Sequence, residues 1–191
     1  MERELVMSGI GGQGVQLASS ALAAAAFAEG LEVQLFGSYG GMMRGGATEA
    51  AVVFATGVLE APPTLSTSWS VILVHDEHAE HARSCLAPGS LLLVNTSIVH
   101  AVDAPPGTTV IEVPATVIAT ELGHPIAASL VMAGAYAAAT GIVSTTSLTD
   151  AADEALPPYR ARHRALNASA VAAGAAAVEH GAVPAWPEGD R

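Results

Sequence analysis

The six residues Gly9-Ile10-Gly11-Gly12-Gln13-Gly14 carry the spacing G-x-G-x-x-G. Glycines at this spacing let a backbone turn tightly and approach a neighbour, and a helix beginning behind them offers unpaired N–H groups to an anion. The chemistry on offer is contact with a nucleotide, a phosphate or coenzyme A, or simply a tight packing turn from strand to helix. A dinucleotide site also wants an acidic residue at the end of the next strand to hold a ribose. This chain has Phe36-Gly37-Ser38 there, and Glu32 stands at the strand's other end. A second glycine cluster, Tyr39-Gly40-Gly41-Met42-Met43-Arg44-Gly45-Gly46, holds Arg44 as the only fixed charge between Glu32 and Glu49. A guanidinium is a planar fork that suits carboxylate or phosphate, and flanking glycines admit a ligand or a partner's backbone. Gly11, Gly12, Gln13, Gly14 and Arg44 are therefore the candidate binding residues, with an anion such as coenzyme A or a subunit interface as their target.

Three further groups carry weaker signals. His75, His78 and His81 surround Asp76, Glu77 and Glu80. Successive three-residue steps on a helix diverge by about 60° each, so the outer pair converges on a metal only if the segment is irregular; a solvated helix start is the plainer reading. Arg160, Arg162 and Arg164 beside Tyr159 and His163 suit a solvated helix face or an acidic partner. Neither a G-x-S-x-G elbow nor a catalytic setting around Cys85 is present, so no residue is assigned as catalytic and no metal site is expected.

Elements that would position these loops can be read from the flanking pattern. Leu5-Val6-Met7 suits a buried strand, Val15 to Glu29 a helix stopped by Gly30, and Glu32 to Phe36 a second strand, together a β-loop-α-β unit. Strands are expected at Thr48 to Ala55, Val71 to Val74, Leu91 to Val94 and Val110 to Val113. Helices are expected at Asp76 to Leu86, closed by Pro88-Gly89, and from Pro114 to about Leu122. Three more run from Pro125 to Thr140, Ser147 to Ala155, and Tyr159 to about Glu179. The alternation predicts an α/β fold: a single Rossmann-like domain over residues 1–182, with a mostly parallel sheet, helices on both faces and a helical C-terminal part. Residues 183–191, with two prolines, are expected to form a flexible tail.

Composition narrows the function classes. The chain has 191 residues and a formal net charge of −11, which argues against nucleic acid and anionic membrane as partners. All seven basic residues that are not histidine are arginine, so a phosphate-loop lysine and a Schiff-base lysine are both excluded. One cysteine cannot hold an iron–sulfur cluster. Met1-Glu2-Arg3-Glu4 does not read as a secretory leader, and a cytoplasmic protein is expected. Leu122 to Thr149 lacks any Asp, Glu, Lys or Arg, but its Ala, Gly, Ser and Thr content and the absence of aromatic or basic flanks favour a buried helix over a membrane span.

In combination and order, these motifs resemble the gamma subunit, or gamma domain, of the 2-oxoacid:ferredoxin oxidoreductases. The resemblance runs from about Leu5 to Val178. Its anchors are Gly9 to Val15, Ser38-Tyr39-Gly40 with Arg44-Gly45-Gly46, Leu93-Val94-Asn95-Thr96-Ser97 and Val113-Pro114-Ala115-Thr116-Val117-Ile118-Ala119. Leu130-Val131-Met132-Ala133-Gly134-Ala135, and Asn167 near Gly174, complete the set.

The resemblance implies a complex that oxidatively decarboxylates a 2-oxoacid to an acyl-CoA, using thiamine diphosphate, iron–sulfur clusters and coenzyme A. It implies alpha, beta and possibly delta subunits as partners and a ferredoxin-like acceptor, with the cofactors carried mainly by those other parts and none bound by this chain alone. The gamma part shapes the active site and its interfaces, and is not expected to be active alone. Tyr39 to Gly46 looks closer to 2-oxoglutarate-type chains than to the indolepyruvate type. Two departures stand out: Gly41-Met42-Met43 replaces the family's usual Pro-Glu and one variable residue, and Ser129 stands where Asn is common. Exposed apolar surface at Tyr39 to Met43 and in the Leu122 to Thr149 region is expected to be covered by partner chains. The alternatives are a stand-alone nucleotide- or CoA-binding oxidoreductase and a pure scaffold.

Overall fold

Period-two alternation decides which way each strand faces, and two cores result. The computed structural model describes residues 1–39, 45–62, 64–156 and 163–187. Strands β1 (Glu2–Ile10), β2 (Glu32–Tyr39), β3 (Ala47–Ala55), β4 (Ser68–Leu73), β5 (Leu86–Asn95) and β6 (Thr109–Val113) form one sheet in the order β2-β3-β1-β4-β5-β6. Leu5, Met7, Val52, Phe54, Ile72, Leu91 and Leu93 face the larger core. Val6, Val53, Val71, Leu73, Leu92 and Val94 face the smaller one. Helices α1 (Val15–Ala28), α3 (Ala115–Glu121), α4 (Ala128–Thr140), α5 (Thr145–Glu154) and α6 (Arg164–Ala176) lie over the first face, and the short α2 (Glu80–Ser84) over the second.

The sheet is α/β and mostly parallel, as expected. Pairs β1–β4, β4–β5 and β5–β6 are parallel, while β3 is antiparallel to both β1 and β2. The expected β-loop-α-β unit therefore has a strand inserted in it: β1 and β2 point the same way, but β3 lies between them. In a dinucleotide-binding unit the second strand neighbours the first and its end holds the ribose, so this insertion moves that strand one place away from the β1–α1 loop.

Three local expectations are corrected. The helix expected over Asp76 to Leu86 shrinks to α2, because His78 takes a left-handed backbone (φ 63°) and the His75 ring accepts a hydrogen bond from the Glu77 N–H at 3.0 Å. Pro88-Gly89 do not close a helix; they lie inside β5. The final helix is described from Arg164, and residues 157–162 lie outside the described residues.

The expected loose tail is also corrected over residues 183–187. Gly181, Val183 and Ala185 donate N–H bonds of 2.8–2.9 Å to the carbonyls of Ala138, Ala139 and Thr140, capping the end of α4. Ala185 and Trp186 are buried. Arg3 clamps this segment: its Nε donates to the Ala185 carbonyl at 2.5 Å, and its guanidinium stacks 4.8 Å from the Trp69 ring and 6.0 Å from the Trp186 ring.

All thirteen residues of α4 are buried, which accounts for the uncharged stretch. The cover that sequence reading assigned to partner chains is, for α4, supplied by this chain's own β-sheet, α3, α5 and α6. No helix among the described residues is long and apolar enough to cross a membrane. The buried polar groups of α4 are paired: Tyr136 Oη shares a 3.0 Å hydrogen bond with Ser70 Oγ, and Thr140 Oγ1 donates to the Tyr136 carbonyl at 2.6 Å. Burial pushes the Tyr136 hydroxyl far above its ordinary pKa, so it remains a neutral donor.

The closest helix contact is between α4 and α6. A methyl group on Gly134 would fall 2.2 Å from the Val171 carbonyl oxygen, and one on Gly174 would fall 1.9 Å from that of Val131. Each helix thus presents a glycine to the other's backbone. Gly174→Ala is expected to destabilise the chain by about 3 kcal/mol, since neither backbone can retreat without opening the core. Trp186→Ala is expected to cost a similar ~3 kcal/mol through lost burial and the Arg3 stack. Denaturant unfolding of each variant checks both values.

Candidate functional site

Five strands deliver their carboxyl ends to one edge of the sheet, and the glycine loops lie there. Gly9 closes the turn between β1 and α1, because a methyl there would sit 2.9 Å from both the Val15 Cγ2 and the Gln13 Oε1. Gly14 caps α1 with a left-handed backbone (φ 83°), and no side chain caps the helix. Gln13 holds the loop from within, its Oε1 accepting the Ile10 N–H at 3.1 Å. Ser129, at the start of α4, donates from Oγ to the Gln13 carbonyl at 2.7 Å. The serine that departs from the resembled pattern therefore still ties α4 to the glycine loop.

The second glycine cluster meets the first. Gly11 donates its N–H to the Gly46 carbonyl at 2.8 Å, and Gly45 donates back to the Gly11 carbonyl at 3.3 Å. Arg44 itself lies outside the described residues, but its neighbour Gly45 is bonded to the α1 loop. Gly11, Gly12 and Gly14 line a cleft of about 700 Å³ together with the first turn of α1, Val15 to Leu17. Gln13 supports the loop without lining the cleft.

The cleft's far wall comes from elements the motifs did not single out. His124, before the 3₁₀ turn Pro125–Ala127, stacks on His163 with ring centroids 5.0 Å apart and planes 18° from parallel. Burial, and secondarily the neighbouring His163, hold the His124 imidazole below its ordinary pKa, against a hydrogen bond that the ring donates to the Asn167 side-chain oxygen. Asn167 stands on α6, and Ile126, Leu130 and Leu156 supply apolar lining. An isolated histidine and an asparagine in an alanine-rich helix gave little signal as a pair, since the fold alone brings them together. Asn167 was visible only through its place in the family-like pattern.

The remaining candidates resolve differently. A second cleft, about 440 Å³, opens on the opposite face beside Phe36, Glu49, His78 and His81. His81 Nδ1 bonds Glu49 Oε1 at 2.8 Å, while His75 accepts the Glu77 N–H and His78 lies 3.7 Å from the Glu77 carboxylate, so His81 turns to a different residue from the other two. No group of three or more His, Cys, Asp or Glu is arranged for a metal among the described residues. Cys85 Sγ lies 3.9 Å from His81 Nε2, a cysteine–histidine–glutamate order that sequence spacing concealed. The thiol is buried and faces the Leu65 carbonyl, and burial followed by the Glu49 charge pushes its pKa up, opposite to what a thiolate nucleophile needs. Asn95 also has a structural task, donating from Nδ2 to the Val74 carbonyl at 3.0 Å and to Thr116 Oγ1 at 2.9 Å, and accepting the Thr116 N–H at 3.2 Å. It joins the ends of β4 and β5 to the start of α3. Arg164 is exposed on α6, and Arg160 and Arg162 lie outside the described residues.

Residues 4–177 match the family described as pyruvate ferredoxin/flavodoxin oxidoreductase. The 2-oxoglutarate synthase subunit KorC of Methanocaldococcus jannaschii is 32% identical over 160 residues, covering 82% of this chain and 85% of that one. KorC of Methanothermobacter thermautotrophicus is 34% identical over 165 residues, covering 83% and 87%. The solved gamma subunit of the keto/oxoacid ferredoxin oxidoreductase of Geobacter sulfurreducens superimposes with a TM-score of 0.77 at 26% identity, covering 92% of this chain and 95% of its own. The 2-oxoglutarate:ferredoxin oxidoreductase of Magnetococcus marinus, solved with 2-oxoglutarate, coenzyme A and succinyl-CoA, shares the fold with a TM-score of 0.81 at 21% identity. This chain matches 31% of that longer polypeptide. With the likeness carried through nearly the whole sheet and its helices, the chain belongs to the pyruvate ferredoxin/flavodoxin oxidoreductase family, as a gamma subunit of a 2-oxoacid:ferredoxin oxidoreductase.

Proposed function

We propose that this gamma subunit serves a complex that converts 2-oxoglutarate and coenzyme A to succinyl-CoA and carbon dioxide, passing two electrons to a ferredoxin-like acceptor. The identity with KorC chains supports 2-oxoglutarate as substrate. We further infer that the cleft at the start of α1 takes part of coenzyme A. The observation that carries this reading is the pairing of the two glycine loops beside an uncapped helix N-terminus, which sets backbone N–H groups and the positive end of the α1 dipole against one cleft. Arg44, next to Gly45 in sequence, would supply the guanidinium for a phosphate.

Thiamine diphosphate and iron–sulfur clusters are assigned to the alpha, beta or delta partner chains. The single buried cysteine cannot hold a cluster by itself, and the β2 end that would hold a dinucleotide's ribose carries no acid and is separated from β1 by β3. That sheet order counts against the stand-alone nucleotide-binding oxidoreductase. The chain is read as cytoplasmic, with neither nucleic acid nor membrane among its partners.

Purification of the complex from its source, followed by assay on a panel of 2-oxoacids with a ferredoxin or viologen acceptor, tests the reading. The highest kcat/KM is expected with 2-oxoglutarate, and no turnover from the isolated chain. Arg44→Ala in the complex is expected to raise the KM for coenzyme A roughly tenfold while leaving that for 2-oxoglutarate unchanged, the size of one lost charge-assisted hydrogen bond. A preference for pyruvate would overturn the substrate assignment. Turnover or NAD binding by the lone chain would overturn the subunit role, and an unchanged KM for coenzyme A the role of Arg44.

A further inference from the structure

The cleft beside α1 has two chemically different ends. At the glycine loops it presents backbone N–H groups and a helix dipole, with Arg44 nearby in sequence. Its far end is neutral: none of the described residues lining the cleft is Lys, Arg, Asp or Glu, and Ile126, Leu130 and Leu156 make that wall apolar. His124 keeps an uncharged ring near neutral pH, since burial and His163 both oppose its protonation.

Into this neutral end the chain places an amide that is only half satisfied, its oxygen meeting the His124 ring and its nitrogen meeting nothing among the described residues. Asn167 is 2% exposed on an otherwise alanine-rich helix, and its Nδ2 has no hydrogen-bond partner among the described residues. Buried amide donors are nearly always paired, because an orphaned donor loses its hydration with nothing in return. The bond to His124 accounts for the amide oxygen but leaves the N–H donor over, and a buried donor left over beside a cleft points to an acceptor that arrives with a ligand. Phosphate is poorly suited here, for the wall has no cation to balance it. An aliphatic arm carrying neutral amides fits both the apolar lining and the single N–H donor.

We propose that Asn167 determines specificity by donating from Nδ2 to an amide carbonyl in the pantetheine arm of coenzyme A, so that the phosphates lie toward the glycine loops and the arm runs along α6. This orientation rests on the reading that the cleft takes coenzyme A, and the experiment separates the two. In the assembled complex, Asn167→Asp replaces the donor with an acceptor of the same shape, and Asn167→Ala removes it without adding charge. Dissociation constants for coenzyme A and for pantetheine, which has the arm but no nucleotide, are measured by calorimetry on each variant and on Arg44→Ala.

Both Asn167 variants are expected to weaken coenzyme A and pantetheine by the same factor, about five- to tenfold, while Arg44→Ala weakens coenzyme A alone. Weakening of coenzyme A without pantetheine would place Asn167 at the nucleotide end and overturn the orientation. Unchanged binding of both in the Asn167 variants, with Arg44→Ala still effective, would reduce Asn167 to a packing residue and leave the coenzyme A site standing. If none of the variants alters coenzyme A binding, the site reading falls with the proposal. Failure of both Asn167 variants to assemble would likewise assign the residue to packing.

Discussion

The reciprocal glycine contact between α4 and α6 is the constraint on which the rest of the architecture depends. Two helices normally keep their axes 8–10 Å apart because side chains stand between them. Here Gly134 and Gly174 each accept the other helix's backbone, leaving no room for even a methyl group. That closeness seats α4 wholly inside the chain, and it brings Asn167, about two turns before Gly174 on the same helix, to the wall of the cleft. Packing and site are thus set by the same pair of residues.

The two faces of the sheet divide the labour unequally. One carries five helices and the larger core, and holds the α1 loop rigid through Gln13, Ser129 and the bonds to Gly45 and Gly46. The other carries only α2 and a smaller core, leaving Phe36 half exposed on β2 next to the His81–Glu49 pair. A subunit that works within a complex needs both: a stiff side to hold the glycine loop in place and an open side that other chains can cover.

Most of the element order was legible in the sequence because the signals were local. Leu5-Val6-Met7, the alanine run ending at Gly30 and the apolar tetrads Val71 to Val74 and Leu91 to Val94 state their own periodicity. What escaped was decided by partners distant in the chain. The position of β3 beside β1, where β2 was expected, depends on nine residue pairs 37 to 53 positions apart, which no window displays. The acidic stretch Asp76 to Ala79 carries helical composition, yet His78 adopts a backbone that ends any helix through it. Pro88-Gly89 look like punctuation, but they enter a strand at its start, before the β5 ladder becomes regular at Leu91. Of the site, the glycine loops were readable from spacing alone; the His124–His163–Asn167 wall was not, since only the glycine contact brings α6 to it.

The Arg3 clamp has a topological meaning. It fastens the first strand to the last described segment through Ala185 and Trp186, so both ends of the domain meet at the amino edge of the sheet. The glycine cleft opens at the opposite, carboxyl edge. A polypeptide leading into β1, or onward from residue 187, would start on the side away from the glycine loops and leave the cleft's entrance clear. The same domain is thereby suited equally to life as a separate chain and as one segment of a longer fused enzyme, without rebuilding its cleft.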